Sequence, residues 1–338
     1  MRLSANTVRY CRQILPVILL LANCALLEGN DSAAELAAGG IQLRKENRVS
    51  MEKERLTISL QKVTVEYEFL NTSQEDVTTE VAFPVPPYAF TPEYAGGIRD
   101  FTDFRVWVNG QEVKYKTDVR AKLKGSDYTD LLRSLGIDIQ TFAQFPTSDY
   151  DVSKSQIGKL PEPKQERLSH LGLTRDDGFP MWMVVKTYHW SQEFPARKAV
   201  RIRHEYTPGV GFRPQQIATV RTDLGDVCID ATLQQRLSAV VARLREHASK
   251  EHVQLAELVE AQWVKYILTT ANTWKTPIKN FELVVDKSAE LANSRFLGVG
   301  MCWAGNLQRV DGQRLVAKKR NFIPSEDLTV YYFYDFGE

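Results

Sequence analysis

Phe104-Arg105-Val106-Trp107-Val108-Asn109-Gly110, followed by Gln111-Glu112-Val113-Lys114-Tyr115-Lys116, alternates apolar and polar side chains on both sides of an Asn-Gly pair. A period of two sends successive side chains to opposite faces of a strand, and Asn-Gly accepts the two positive φ angles of a tight turn. The stretch predicts a β-hairpin with strands Phe104–Val108 and Val113–Lys116. Upstream, Leu56–Leu60, Val63–Leu70 and Val77–Phe83 carry the same alternation. The polar run 71–76 reads as a turn between two of them. Pro84-Val85-Pro86-Pro87 ends the third, because proline has no N–H to give a ladder.

Downstream the pattern changes and then returns. Residues 123–176 hold two short helical stretches, Tyr128–Leu135 and Lys164–Leu171, between proline, glycine and acidic turns, and read as an insertion. Trp182–Trp190 and Val200–Tyr206 alternate again and are expected to pair through a turn containing Pro195. Asp230 is placed to cap a helix with apolar positions Leu233, Leu237, Val240, Val241 and Leu244. A second helical stretch is expected through Val253, Leu255, Leu258 and Val259, then strands at Val264–Leu268, Phe281–Val285, Leu315–Lys319 and Leu328–Tyr334. The expected fold is mainly β: antiparallel sandwich-like units with short helical insertions. The expected division is residues 1–29, 30–222 with the insertion at 123–176, and a helix-plus-β segment 223–338.

Among the 338 residues, 43% are hydrophobic and 25% charged, the balance of a chain that folds rather than one that stays disordered. Lys plus Arg is 43 against 42 for Asp plus Glu, so no charge surplus points to nucleic acid. Residues 1–29 read as an export address: Arg2, Arg9 and Arg12 precede the apolar run Ile14–Ala22, which gives way to small and polar residues ending at Gly29. The run is too short and too interrupted, by Pro16, Asn23 and Cys24, to favour a spanning helix, and removal of this segment leaves no membrane span. Cleavage is expected after Cys24 or near Gly29. Leu21-Ala22-Asn23-Cys24 resembles a lipoprotein box, but Asn23 stands where a small residue is needed. A cut at Gly29 leaves 40 basic and 41 acidic side chains, and Cys228 and Cys302 as the surviving thiols. In an oxidising compartment these two are expected to form a disulfide that pins the start of the Asp230 helix to a later strand.

Several segments together resemble the bacterial exported family known as domain of unknown function 4424. They are residues 30–36, Tyr67–Asn71 running on to Val81–Pro84, His204-Glu205-Tyr206-Thr207-Pro208, and Tyr266–Trp274 followed by Pro277–Phe281. The resemblance implies an extracytoplasmic, β-rich protein in the periplasm or envelope and carries no catalytic, cofactor or metal residue with it.

Motifs of known chemistry are missing. The sequence has no phosphate-binding Gly-x-x-x-x-Gly-Lys, no Gly-x-Ser-x-Gly and no His-Glu-x-x-His; His247 and His252 stand five apart, off the spacing of helical metal ligands. Asp223, Asp226 and Asp230 lack calcium-loop spacing and read as a polar turn ending in a helix cap. Two readings compete for the aromatic and histidine residues Trp182, Tyr188, His189, Trp190, His204 and Tyr206. One is a ligand surface for an envelope glycan or protein; the other is a sandwich core whose imidazoles are satisfied internally. The functional expectation is a non-enzymatic binding or structural module without cofactor. The alternative is a hydrolase of a glycan or peptide using Asp176, Asp177 or the His189 region.

Overall fold

The computed structural model describes residues 31–37, 40–89, 101–140, 155–220, 227–251, 257–303 and 307–336. Residues 1–29, expected to be an export address, lie outside them, as do Asp223, Asp226, His252 and the expected helical positions Val253 and Leu255. Among the described residues strand accounts for 49% and helix for 18%, so the mainly β expectation holds, in antiparallel and mixed sheets. In chain order the first strands are β1 (Ser32–Ala37), β2 (Gly40–Leu43), β3 (Val49–Ile58), β4 (Val63–Asn71), β5 (Val77–Pro84) and β6 (Tyr88–Ala89). Next come β7 (Thr102–Val108), β8 (Gln111–Glu112), β9 (Lys116–Leu123), β10 (Ser126–Asp127) and helices α1 (Thr129–Ser134) and α2 (Glu162–His170). Then follow β11 (Met183–Phe194), β12 (Ala199–Thr207), β13 (Val210–Gln216) and α3 (Ala231–Glu251). The chain ends with β14 (Leu258–Tyr266), β15 (Ile278–Asp286), β16 (Phe296–Gly300), β17 (Gln308–Arg309), β18 (Arg314–Phe322) and β19 (Leu328–Asp335).

Three sheets result. The first runs β10-β9-β11-β5-β1-β2 with β6 also on β11, the second β17-β18-β15-β3-β4-β12-β7-β8, and the third β13-β14-β19-β16. The second takes strands from both sides of residue 222, and β15 joins it in parallel beside β3. The Asn109-Gly110 hairpin forms as read, with φ of 50° and 85° at its two turn residues. Its returning strand, β8, is only Gln111–Glu112 before the chain leaves for the first sheet as β9.

Two expectations are corrected. β11 and β12 do not pair with each other: β11 lies between β5 and β9 in the first sheet, β12 between β4 and β7 in the second. The short link at Pro195–Lys198 crosses from one layer to the other, so both strands keep an apolar inward face without sharing a ladder. Leu258 and Val259 belong to strand β14, not to a helix, because Val259, Ala261 and Trp263 alternate toward one core while Val264 and Tyr266 reach another.

That alternation explains how the third sheet is held. Leu328, Val330, Tyr332 and Tyr334 of β19 join the main core between the sheets, while Tyr331 and Phe333 point the other way into a second core under α3. Leu233, Leu237 and Val240 are the buried stripe of α3, and the Asp230 carboxylate accepts the Leu233 N–H at 2.7 Å as its N-cap. Cys228 and Cys302 form the expected disulfide, joining the entry to α3 to the residue just beyond β16 with Cα atoms 4.6 Å apart. Among the described residues no helix is long and apolar enough to cross a membrane.

Candidate functional site

Residues of β7 in the second sheet and of β9 and β11 in the first line a common opening. A cleft of about 700 Å³ opens there, within the size range of small-molecule sites. Its walls carry Phe101, Phe104, Tyr115 and Tyr188, with Lys186 and Arg133 as the cations. Phe104 from the second sheet stacks on Tyr188 from the first, centroids 4.1 Å apart and planes 4° from parallel. Tyr115 stands edge-on to both rings and donates its hydroxyl to the Phe104 carbonyl at 2.9 Å. Burial and the neighbouring Glu112 charge raise the Tyr115 hydroxyl above its ordinary value, so it stays a neutral donor.

Lys186 is the unusual member. It sits in a strand buried on both faces, is 7% exposed, and donates to the Phe101 carbonyl at 3.2 Å; the Tyr188 hydroxyl donates to the same carbonyl at 3.3 Å. Its ammonium also lies 5.4 Å from the Tyr188 ring centroid. Arg133 of α1 reaches the Val119 carbonyl at 3.0 Å, so helix and strand are tied beside the opening. The carboxylate of Asp103 on the same wall is taken by the Thr102 and Thr207 hydroxyls, both at 2.9 Å.

Beneath this floor lies a sealed polar centre. His204 Nε2 and Asp31 Oδ1 are 3.0 Å apart, and both side chains are wholly buried. His204 Nδ1 has no hydrogen-bond partner among the described residues, so the imidazole is held through Nε2 alone. The Trp274 indole N–H donates to the Asp31 carbonyl at 2.6 Å, and the Tyr67 and Tyr266 hydroxyls share a hydrogen bond at 3.0 Å. Burial raises the Asp31 carboxyl, outweighing the attraction of His204. Burial also lifts both tyrosine hydroxyls far above their ordinary value. Phe83 and Phe104 cover the imidazole at 4.4 and 5.5 Å. The centre ties three sheets together and has no opening for a substrate.

The six residues singled out from sequence are therefore brought only partly together, and none is more than 5% exposed. Tyr188 reaches the cleft; Tyr206 packs under its floor against Phe101 and Phe104. His204 belongs to the sealed centre. His189 faces the other side of β11 and pairs with Glu80 at 2.6 Å. Trp182 and Trp190 are core. Asp177 is exposed, paired with Arg175 at 2.6 Å, which lowers its carboxyl below the ordinary range, and neither it nor Asp176 lines the cleft. Asp230 is the helix cap described above, and His247 is exposed on α3. Lys186, Phe104 and Tyr115 escaped the sequence reading. The signal was there for Lys186: a lysine between the apolar Val184-Val185 and the aromatic Tyr188 in the first half of β11.

Among solved structures, a Legionella pneumophila protein described as a candidate nutrient-binding protein is similar over 90% of this chain and 71% of its own, at 15% identity and a TM-score of 0.41. The M1 zinc metallopeptidase of Deinococcus radiodurans is similar over 85% of this chain and 43% of its own, at 7% identity and a TM-score of 0.27. Neither likeness is close enough to assign a shared fold or a role. No curated protein sequence matches the chain. The family described as domain of unknown function DUF4424 matches residues 29–331, nearly the whole length, and the chain belongs to that family.

Proposed function

We propose that the protein is an exported, non-enzymatic binding module of the bacterial envelope that holds a small organic ligand in the cleft between its first two sheets. The cleft carries this reading: an opening of about 700 Å³ with stacked aromatic walls and two cations. Such walls bury a flat apolar body, and Lys186 and Arg133 favour an acceptor or acidic group at its end. The Cys228–Cys302 disulfide supports the export half of the proposal, since such bonds persist in oxidising compartments.

Native mass spectrometry of the protein taken from the envelope of its own host tests both halves. The expected result is a chain lacking its first 24 to 29 residues and carrying a small-molecule adduct. Thr117→Trp places an indole at an exposed strand position lining the cleft and is expected to abolish the adduct. A Thr117→Trp protein that keeps the adduct would refute the cleft, and a cytosolic chain still starting at Met1 would refute export.

A further inference from the structure

The outward face of the second sheet is banded by charge. One cross-strand row runs Lys318 (β18), Glu282 (β15), Arg55 (β3), Glu66 (β4), Arg203 (β12) and Trp107 (β7), each the register partner of the next. Within the row Lys318 and Arg55 lie 3.2 and 3.3 Å from Glu282, Arg55 lies 3.8 Å from Glu66, and the Arg203 guanidinium covers the Trp107 ring at 4.6 Å. The row beside it runs Arg320, Asn280, Lys53, Glu68 and Arg201, keeping the alternation of charge on β3, β4 and β12 with a neutral Asn280 in place of Glu282. These side chains stand out from the sheet: Lys318 is 72% exposed, Glu66 51% and Arg201 79%. Internal pairing at that exposure contributes little to stability.

The order has a symmetry that pairing within the sheet does not need. Read in reverse, the row is its own complement. Take a two-fold axis running along the strands between β3 and β4 and place a second copy face to face. Arg55 then meets Glu66 of the other copy and Glu282 meets Arg203, while Lys318 comes opposite Trp107, whose ring is already covered by Arg203 and Arg105 at 4.6 and 4.7 Å. In the neighbouring row Lys53 meets Glu68 and Asn280 meets Arg201. An axis across the strands would instead set each strand on itself, like charge on like. We propose that this face is a self-complementary interface between two copies of the chain, related by the axis along β3 and β4. Its contacts are charged and exposed, so the dimer is salt-sensitive.

Sedimentation velocity on the purified protein tests this. The expected wild type is a dimer in about 20 mM salt whose dissociation constant rises at least about ten-fold by about 0.5 M. Glu66→Lys/Glu68→Lys makes the β3 and β4 bands both positive, and Lys53→Glu/Arg55→Glu makes both negative. Each variant alone is expected to be monomeric, and an equimolar mixture is expected to form heterodimers, because positive bands then face negative ones on both sides. All four positions lie on the outward face, and melting curves of each variant confirm folding. A wild type that stays monomeric at about 100 µM in low salt overturns the proposal, that concentration being well above a micromolar affinity. Variants that still dimerise alone, or a mixture that does not associate, overturn it equally.

Discussion

Cys228→Ser/Cys302→Ser removes the one covalent tie across the third sheet, and its cost follows from chain length. The bond closes a loop of 74 residues, and in the chain-entropy treatment such a loop restricts the unfolded ensemble by about 4.5 kcal/mol. The folded state loses little besides the bond. The Met301 N–H still reaches the Cys228 carbonyl at 3.2 Å, Asp230 still caps α3, and Leu233 still lies over the β16 glycines. The penalty therefore sits in the unfolded chain, and the variant should unfold earlier rather than fold differently. Urea titration followed by circular dichroism reads it. With a slope near 3 kcal/mol per molar, the midpoint is expected to fall by about 1.5 M, with a slightly steeper slope because the uncrosslinked chain exposes more surface. The cleft lies between the other two sheets, so the adduct should survive the substitution. A loss below about 1 kcal/mol would refute the reasoning, showing that the unfolded state keeps the two ends together without the bond.

Asp31→Asn tests the sealed centre through pH. Burial raises the Asp31 carboxyl in the fold, so its contribution to stability is fully present below the ordinary carboxylate value and is lost as pH rises through the folded one. Asparagine abolishes that decline, and melting temperatures should shift in its favour as pH rises above the ordinary carboxylate value; a difference constant with pH would contradict the assignment. Gly211→Ala tests the third sheet: a Cβ there would lie 2.0 Å from the Trp263 ring, which packs over its cross-strand partner. The expected loss is about 2 kcal/mol in urea unfolding, and an unchanged midpoint would mean the indole turns aside freely.

Local chemistry made part of the fold legible. The Asn109-Gly110 hairpin, the β4–β5 turn and the Asp230 cap are all set within a few residues. The turn at 71–76 is held by Asn71 itself, whose amide donates to the Glu75 and Phe194 carbonyls at 2.7 and 2.8 Å. Partnership was not legible. Period two says which residues share a face, not which strand lies alongside; hence β11 and β12 were expected to pair, and the parallel β3–β15 ladder joins segments more than 220 residues apart. The helical expectation at Leu258 and Val259 arose because a few apolar residues at spacings of three and four fit a helix as easily as two adjoining strand faces. For the candidate site, the six residues named from sequence are dispersed: Tyr188 alone lines the cleft, and His204 and Trp190 are buried elsewhere. Rings on β11 and β12 are what a core and a binding wall both use, and only the placement of each strand against its neighbours in three dimensions tells them apart.

The sealed centre also limits how far a removed segment can extend. On the export reading the removed segment ends no later than Gly29, and Asp31 already holds His204, Trp274 and the Tyr67 hydroxyl in a fully buried position. Ser32 follows at once as the first residue of β1, its hydroxyl on the Ala82 carbonyl at 3.0 Å, and β1 fills the place between β5 and β2. A cut at Cys24 or at Gly29 leaves all of these groups in place. A cut two residues beyond Gly29 would take the Asp31 side chain from His204, leaving the buried Nε2 without its hydrogen-bond partner at a cost of about 1–3 kcal/mol. Sequence placed Asp31 among the polar residues that follow an export signal, which is where a flexible leader would be expected. Its partner His204, 173 residues away, makes it an anchored residue of the core instead.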